Sequence, residues 1–399
     1  MKTKLAILSL AGLLATPALA DVQINGFANL IGGMTLDDDE SVYDYDSDFS
    51  FDPASVFGLQ VRGEVSDKLS ATAQLVGRGR DDYDADFEWA YMTYMLNNNV
   101  NISAGRLRMP LFKYSASLDI GYSYHWLTPP DAVYGIDFNN IDGVRIDYMN
   151  YSGDWEYGAQ LTMGRVEADT TISGTPAALE LENVVAASFE ATRDWFSART
   201  LFARGKTSAA NADFDTFVGG LNQYGAFIPS ASLAAEGLSV NEDTGTFFEV
   251  AVDIDKYDWF VGAEFTQTEV DGSVIADNKA WYVTAGMRFG KFTPHITYEV
   301  EEADNGAQLG LIAALPPTIA TGDAVVDATW NGANGQAGIY QTAAGIAAQQ
   351  ELDVSAVTVG LRYDVEPGFA LKTDVTWYSD DLNDLNDATL LKVGVNYTF

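Results

Sequence analysis

The last nine residues, Leu391-Lys392-Val393-Gly394-Val395-Asn396-Tyr397-Thr398-Phe399, alternate without a break. Leu391, Val393, Val395, Tyr397 and Phe399 fall on one face of an extended strand, and Lys392, Gly394, Asn396 and Thr398 on the other. One face suits lipid and the other water, and the strand finishes on aromatics at the end of the chain. That is the pattern of a barrel wall. The final strand of a soluble sandwich alternates too, so the other end of the chain is needed to separate the two.

Residues 1–20 read as a cleavable secretory signal. Lys2 and Lys4 form a charged start, Ala6 to Leu14 an apolar core too short to span a bilayer, and Ala18-Leu19-Ala20 a small-x-small cleavage site. The mature chain is expected to be one domain, residues 21–399. Losing Lys2 and Lys4 takes its formal charge from −35 to −37. No cysteine is present, so neither a disulfide framework nor a lipid-anchored cysteine is available. A surplus of 57 acids over 22 bases argues against nucleic acid as a partner.

Apolar residues are dispersed, with no run near the ~18–20 that a transmembrane helix needs. Aromatics are 12% of the chain, and many sit near strand ends, where a barrel carries its interfacial girdles. With 36 Gly and 11 Pro the composition suits many strands and tight turns.

Sixteen strands are predicted, at 22–34, 54–65, 67–78, 85–96, 99–108, 140–149, 153–166, 181–191, 195–206, 246–255, 258–270, 279–290, 292–301, 352–364, 368–379 and 389–399. The pair 181–191 and 195–206 alternates poorly, so fourteen or eighteen strands are the alternatives to sixteen. Connections alternate in length. Short turns such as Ser66-Asp67, Asn97-Asn98-Asn99 and Glu366-Pro367-Gly368 use hairpin chemistry. Between them lie long segments at 35–53, 79–84, 109–139, 167–180, 207–245, 271–278, 302–351 and 380–388. A short-turn rim opposite a long-loop rim is expected of a transmembrane antiparallel β-barrel, all-β, with turns periplasmic and loops extracellular. Charge recurs on the non-lipid phase: Arg62 and Glu64 oppose Leu59 and Val61, Arg288 opposes Met287 and Phe289, and Lys372 and Asp374 oppose Leu371 and Val375. A dry interior would strand such charges at several kcal/mol each, so the lumen is expected to hold water.

With its signal peptide, the strand opening at Val22-Gln23-Ile24-Asn25-Gly26-Phe27, the strand count and the ending Tyr397-Thr398-Phe399, the chain resembles the general porins of the Gram-negative outer membrane. The resemblance implies passive diffusion of ions and small hydrophilic solutes, a homotrimer, contact with outer-membrane lipid and lipopolysaccharide, and a terminal signal (Tyr397, Phe399) read by the barrel-assembly machinery. It also implies that the third loop, Met109 to Asn139, folds into the lumen. That loop contains Tyr122-Ser123-Tyr124-His125-Trp126-Leu127-Thr128-Pro129-Pro130, apolar for a loop. It lacks the Pro-Glu-Phe-Gly-Gly sequence of the enterobacterial porins. Its candidate constriction acids are Asp119, Asp131 and Asp137, facing wall cations Arg62, Arg78, Arg145, Arg288, Arg362 and Lys372 across a transverse field. Each cation has a second reading, a salt bridge to a lumen carboxylate such as Glu64, Asp147 or Asp374. Arg106 and Arg108 flank the loop and are candidate anchors.

Other constellations point to no chemistry. The acidic runs 44–48 and 81–86 lack the Gly and twelfth-position Glu of a calcium loop. They read as solvated loops, or as looser divalent sites against lipopolysaccharide. His125 and His295 lack metal-ligand spacing. No G-x-S-x-G occurs, so neither an enzyme nor a cofactor is expected. The aromatic stretch 122–134 keeps open a channel specific for sugars or other small organic solutes.

Overall fold

In the segment Asp243–Asp255, Phe248, Val250 and Val252 are exposed while Phe247, Glu249 and Ala251 are buried. The same two-residue period, with one apolar outer face, recurs round the molecule and closes the sheet. The computed structural model describes residues 22–399 except 38–39, 137, 173–174, 274, 305–309, 312, 333–335 and 349; the signal segment 1–20 lies outside the described residues. The strands are β1 (Val22–Thr35), β2 (Val56–Ser66), β3 (Leu69–Arg78), β4 (Ala85–Asn97), β5 (Val100–Arg108), β6 (Asn140–Ser152), β7 (Trp155–Ile172), β8 (Thr175–Arg193), β9 (Phe196–Ala210), β10 (Asp243–Asp255), β11 (Trp259–Val270), β12 (Asp277–Met287), β13 (Phe292–Asp304), β14 (Leu352–Glu366), β15 (Phe369–Asp380) and β16 (Ala388–Thr398). Each pairs antiparallel with its sequence neighbours, and β1 pairs with β16, so the sixteen form a closed barrel. Among the described residues no helix is long and apolar enough to cross a membrane.

Fourteen of the fifteen connections keep the expected alternation of short turn and long loop. The exception is 167–180, read from its turn residues as a loop. There β7 and β8 run on to Ile172 and Thr175 as one long hairpin. This β7–β9 sector also explains the poor alternation seen in the sequence. Val184, Ala186, Leu201 and Ala203 are buried on the inner face, while Val185, Phe189 and Phe202 are exposed on the outer one. A strand apolar on both faces carries no two-residue period.

Two loops are more structured than expected. The connection after β9 folds into α2 (Ala212–Gln223) and α3 (Pro229–Leu238), and the one after β13 into α4 (Ala324–Trp330) and α5 (Gln336–Ala348). Leu221, Ile228, Ala234 and Leu238 pack with Leu315, Trp330, Ile339 and Ala343 in a small core of their own at the loop end. At the turn end, Tyr151, Trp195, Tyr257, Trp259, Phe289, Phe292, Tyr397 and Phe399 are exposed, a girdle of the kind that sits at a membrane interface.

The β1–β16 seam extends to the last residue. Gly26 N donates to Phe399 O at 2.9 Å, Phe399 N donates to Gly26 O at 3.0 Å, and the Phe399 ring lies over Gly26, where a Cβ would collide with it. Deleting Phe399 removes both bonds and the ring at the point of closure. We expect heat-modifiable barrel to fall at least severalfold with export intact, read by the shift of unboiled against boiled protein in gel electrophoresis. A wild-type yield would contradict this.

Candidate functional site

The third loop, 109–139, leaves β5 and turns into the barrel. Its composition drives it there: Met109, Leu111, Phe112, Tyr124, Trp126 and Val133 are all buried, packed with Val184, Ala186, Leu201, Ala203, Phe247 and Tyr282 of the wall. Part of the lumen is therefore a dry core, and the expectation of a wholly wet interior is corrected there. The sequence reading missed it because the inner faces of β8 and β9 had no clear phase.

A loop inside a barrel must find partners for its backbone. Wall side chains supply them from strand after strand. On β9, Arg199 donates to the Pro110 and Leu111 carbonyls, with Glu249 of β10 as its own counter-ion at 2.6 Å. On β11, Glu264 accepts from Lys113 N at 3.0 Å, from Tyr282 Oη at 3.1 Å and from Tyr134 Oη. On β13, Thr297 accepts from Trp126 Nε1 at 2.8 Å and Glu299 from Ala132 N at 3.0 Å. Asp374 of β15 accepts from Leu127 N at 2.9 Å, and Lys392 of β16 meets Thr128 Oγ1 at 2.6 Å. Asn29 of β1 donates to Asp119 O at 2.7 Å and accepts from Gly121 N at 3.2 Å.

Two of the expected wall cations are part of this clamp. Lys372 donates to the carbonyls of Gly121, Tyr124 and Trp126 at 2.6, 2.8 and 2.6 Å, and it is only 4% exposed. Arg362 donates to those of Tyr122 and Tyr124 at 2.8 and 2.7 Å and to Asp364. Neither is a free charge facing water: buried carbonyls of the loop's short turns outbid the lumen for them.

Arg78 and Asp119, expected on opposite sides of an open gap, touch. Arg78 lies 3.0 Å from Asp119 and 2.8 Å from Glu88, and Arg108 pairs with the same two carboxylates. The closeness has a local cause. In the β3–β4 ladder Gln74 pairs with Trp89 and Leu75 with Phe87. Glu88 is the extra residue of a bulge, and it joins Trp89 on the inner face. Burial alone would raise the Asp119 carboxyl, but Arg108 and Arg78 outweigh it and hold its pKa below the ordinary carboxylate value. These four charges neutralise one another.

The remaining candidates are dispersed. Arg145 lies on the inner face of β6, 3.0 Å from Asp147 and over the Tyr91 ring. Arg62, on the inner phase of β2 toward the turn end, has no ion pair among the described residues. Arg288 falls just past the end of β12, so its inward phase lands in a turn. There it holds Asp255 at 2.6 and 2.9 Å and the Lys256 carbonyl at 2.8 Å, away from the loop acids. Asp131 opens the one-turn helix α1 (Asp131–Tyr134). Asp137 lies outside the described residues. Arg106 faces outward and pairs with Asp142 at 3.3 Å, so of the two flanking arginines only Arg108 anchors the loop.

Above the loop, toward the long-loop end, lie two cavities of about 730 and 550 Å³ that share Asp131, Glu301 and Leu352. The larger is lined by Asp44, Asp131, Glu299 and Glu301, by Arg78, Arg80 and Lys392, and by Tyr43, Trp126 and Tyr378 among its aromatics.

No protein-family model and no curated protein matches the sequence. Its fold has solved counterparts. OmpF of Salmonella typhi, in complex with daunomycin, is 13% identical over 95% of this chain and 98% of that one, with a TM-score of 0.56. The outer membrane channel DcaP of Acinetobacter baumannii is 12% identical over 96% and 99%, also at 0.56. A trimer form of OmpT, an outer membrane protein of Vibrio cholerae, is 12% identical over 95% and 99%, at 0.52. At such identities the likeness establishes architecture. The chain has the sixteen-strand fold of the bacterial outer-membrane porins.

Replacing Lys372 by Met keeps its bulk and removes three donors at once, leaving the Gly121 and Trp126 carbonyls unpaired at roughly 1–3 kcal/mol each while that of Tyr124 keeps Arg362. The barrel should still form, while amides of residues 118–128 exchange at least tenfold faster. Hydrogen-exchange mass spectrometry reads this; wild-type protection in the variant would contradict the clamp.

Proposed function

We propose that the chain is an outer-membrane porin, a water-filled channel through which ions and small hydrophilic solutes diffuse passively. The observation that carries this reading is the third loop, folded into a closed barrel and clamped there by wall side chains, with open vestibules above it. Strands that the loop does not grip carry polar groups inward: Gln60 and Arg62 on β2, Arg145 and Asp147 on β6, and Gln160 on β7, which donates to Asp147. This sector is the polar passage. A signal peptide cleaved after Ala20 delivers the chain to the periplasm, and Tyr397 and Phe399, stacked with centroids 5.8 Å apart, are what the assembly machinery reads. The long loops then face outward among lipopolysaccharide.

Because Arg78 and Arg108 are spent on Glu88 and Asp119, the transverse field at the loop is weak. The acidic vestibule governs selectivity instead, over a Debye length of about 8 Å at physiological salt. The channel is weakly cation-selective, less so as salt rises. Asp44→Asn with Asp131→Asn should move the reversal potential in a KCl gradient toward zero; an unchanged or larger potential would contradict the assignment.

The channel is a homotrimer. Arg106 and Asp142 share the outward phase with Val144, and Arg165 pairs beside them. Arg106 is seven residues above the β4–β5 turn, about 16 Å for a tilted strand, inside an apolar band about 25 Å tall. A charge facing lipid there costs about 2–4 kcal/mol, so a neighbouring barrel covers this sector and the flat Ala71–Ala73 surface beside it. That OmpT, alike in fold, occurs in a trimer form supports the count of three. Light scattering of unheated, detergent-solubilised protein should give three times the monomer mass, and a monomer would refute it.

A second reading, a channel specific for sugars or other small organic solutes, is favoured by the aromatic lining of the larger vestibule. Concentration-dependent block of ion current by a sugar, saturating in the millimolar range, would select it over unspecific diffusion.

A further inference from the structure

The smaller of the two cavities at the loop end has walls for which a passage for hydrophilic solutes has no use. Its volume of about 550 Å³ lies within the range of about 300–1,000 Å³ usual for small-molecule sites. Phe247 of β10, Val270 of β11 and Ala303 of β13 line it, all of them buried, and the third loop supplies its floor. Ile275 and Ala276, from the connection between β11 and β12, close it toward the loop end. Ile275 also packs against the small core formed by the helices of the two longest loops, so those helices abut this chamber.

Polar groups meet the chamber at two places. Gln350, just past α5, lines it with its side-chain amide. Gln350 Oε1 accepts from Ala276 N at 3.4 Å, and Nε2 is buried with no hydrogen-bond partner among the described residues. A buried donor without a partner is costly, and an occupant bearing an acceptor or an aromatic face relieves it. The second place is the boundary with the larger cavity, made by Asp131, Glu301 and Leu352. Glu301 accepts from Asn278 Nδ2 at 2.6 Å, a neutral partner that leaves the carboxylate its charge. Among the described residues Arg204 is the one basic residue against the chamber, and it is exposed on the outward phase of β9 with Phe202. The chamber is thus apolar inside and negative at its mouth.

We propose that this chamber is a binding site for amphipathic organic cations. The apolar body of the ligand enters among Phe247, Val270 and Ala303, and its amine stays at the mouth beside Asp131 and Glu301. The inference goes beyond the pore reading, since it needs a folded barrel open at the loop end and no conduction. Burying the body takes apolar surface of both ligand and wall out of water. The carboxylates act on the amine between low-dielectric walls, where a charge counts for more than in bulk water. An alcohol on the same body gains the apolar part alone, and a carboxylate is repelled at the mouth. Sugars do not suit this chamber, because their hydroxyls would lose water against Phe247 and Val270 with a single amide to replace it.

The test uses the full-length protein in phosphatidylcholine nanodiscs, titrated by calorimetry with three probes that share one body: 4-phenylbutylamine, 4-phenylbutanol and 4-phenylbutanoic acid. Titration of empty nanodiscs subtracts partition into lipid. The amine should bind at one site per chain, about tenfold tighter than the alcohol, and the acid more weakly than either. Glu301→Gln keeps the shape and removes the charge, and it should cut the preference for the amine over the alcohol severalfold. Ala303→Phe fills the chamber from β13 and should weaken the amine at least tenfold, with heat modifiability confirming the barrel. Ala276→Phe fills it from the loop end and takes that place if Ala303→Phe does not fold. Equal affinity for the three probes in the wild type would overturn the proposal, as would a Kd for the amine weaker than about 10 mM. Wild-type affinity in a folded filling variant would overturn it too. Single-channel recording decides the pore reading separately. A chain that binds the amine at this site without conducting loses the pore reading alone, and one that conducts without binding it loses this proposal alone.

Discussion

Lipid offers no hydrogen bonds, so a chain that crosses a bilayer with strands has to pair them all the way round. The ladder from β1 through β16 and back satisfies that demand, down to the reciprocal bonds between Gly26 and Phe399 at the final residue. Once the ring is closed, each strand has one face toward lipid and one toward the lumen, and the alternation of the sequence follows. The fifteen connections sort themselves between two rims for the same reason, since antiparallel neighbours return the chain to alternate ends.

The third loop meets the same demand in a second place. It enters the lumen because its aromatics bury better against the inner wall than in water, and its backbone then lacks solvent. Lys372, Arg362 and Arg199 give donors to its carbonyls, while Glu264, Glu299 and Asp374 accept from its amides. Charged groups inside a porin barrel are usually thought of as facing the passage. Here many of them hold the constricting element. What is left to act on a solute is the acidic vestibule above the loop and the polar strip on β2, β6 and β7.

Much of the architecture was legible in the sequence because lipid on one side and water on the other write a two-residue period. The spans 22–34 and 389–399 became Val22–Thr35 and Ala388–Thr398. Legibility failed where that contrast vanished: β8 and β9 are apolar on both faces around Val184–Ala186 and Leu201–Ala203, and turn residues at 167–180 concealed a hairpin continuing through them. The helices of the two longest loops were also missed, although Asp323, whose side chain accepts from Val325 N and Val326 N, is a capping signal before an apolar run. For the site, phase identified which cations point inward but not what they meet. Lys372 and Arg62 share a phase, yet one is buried under carbonyls and the other is exposed. Arg78 and Asp119 were each singled out, but their pairing depends on the Glu88 bulge, and the meeting of His125 with His295 depends on the loop's path across the lumen. These are tertiary facts with no local signature.

The account stands on a fixed loop narrowing a water-filled lumen. The direct measurement is single-channel conductance of the full-length protein beside a variant in which residues 113–136 are replaced by a short Gly-Ser connection, both verified as heat-modifiable barrels. The account predicts discrete, ohmic steps in the wild type and severalfold larger steps in the variant. Equal conductance in the two, or no steps from a folded wild-type barrel, would contradict it.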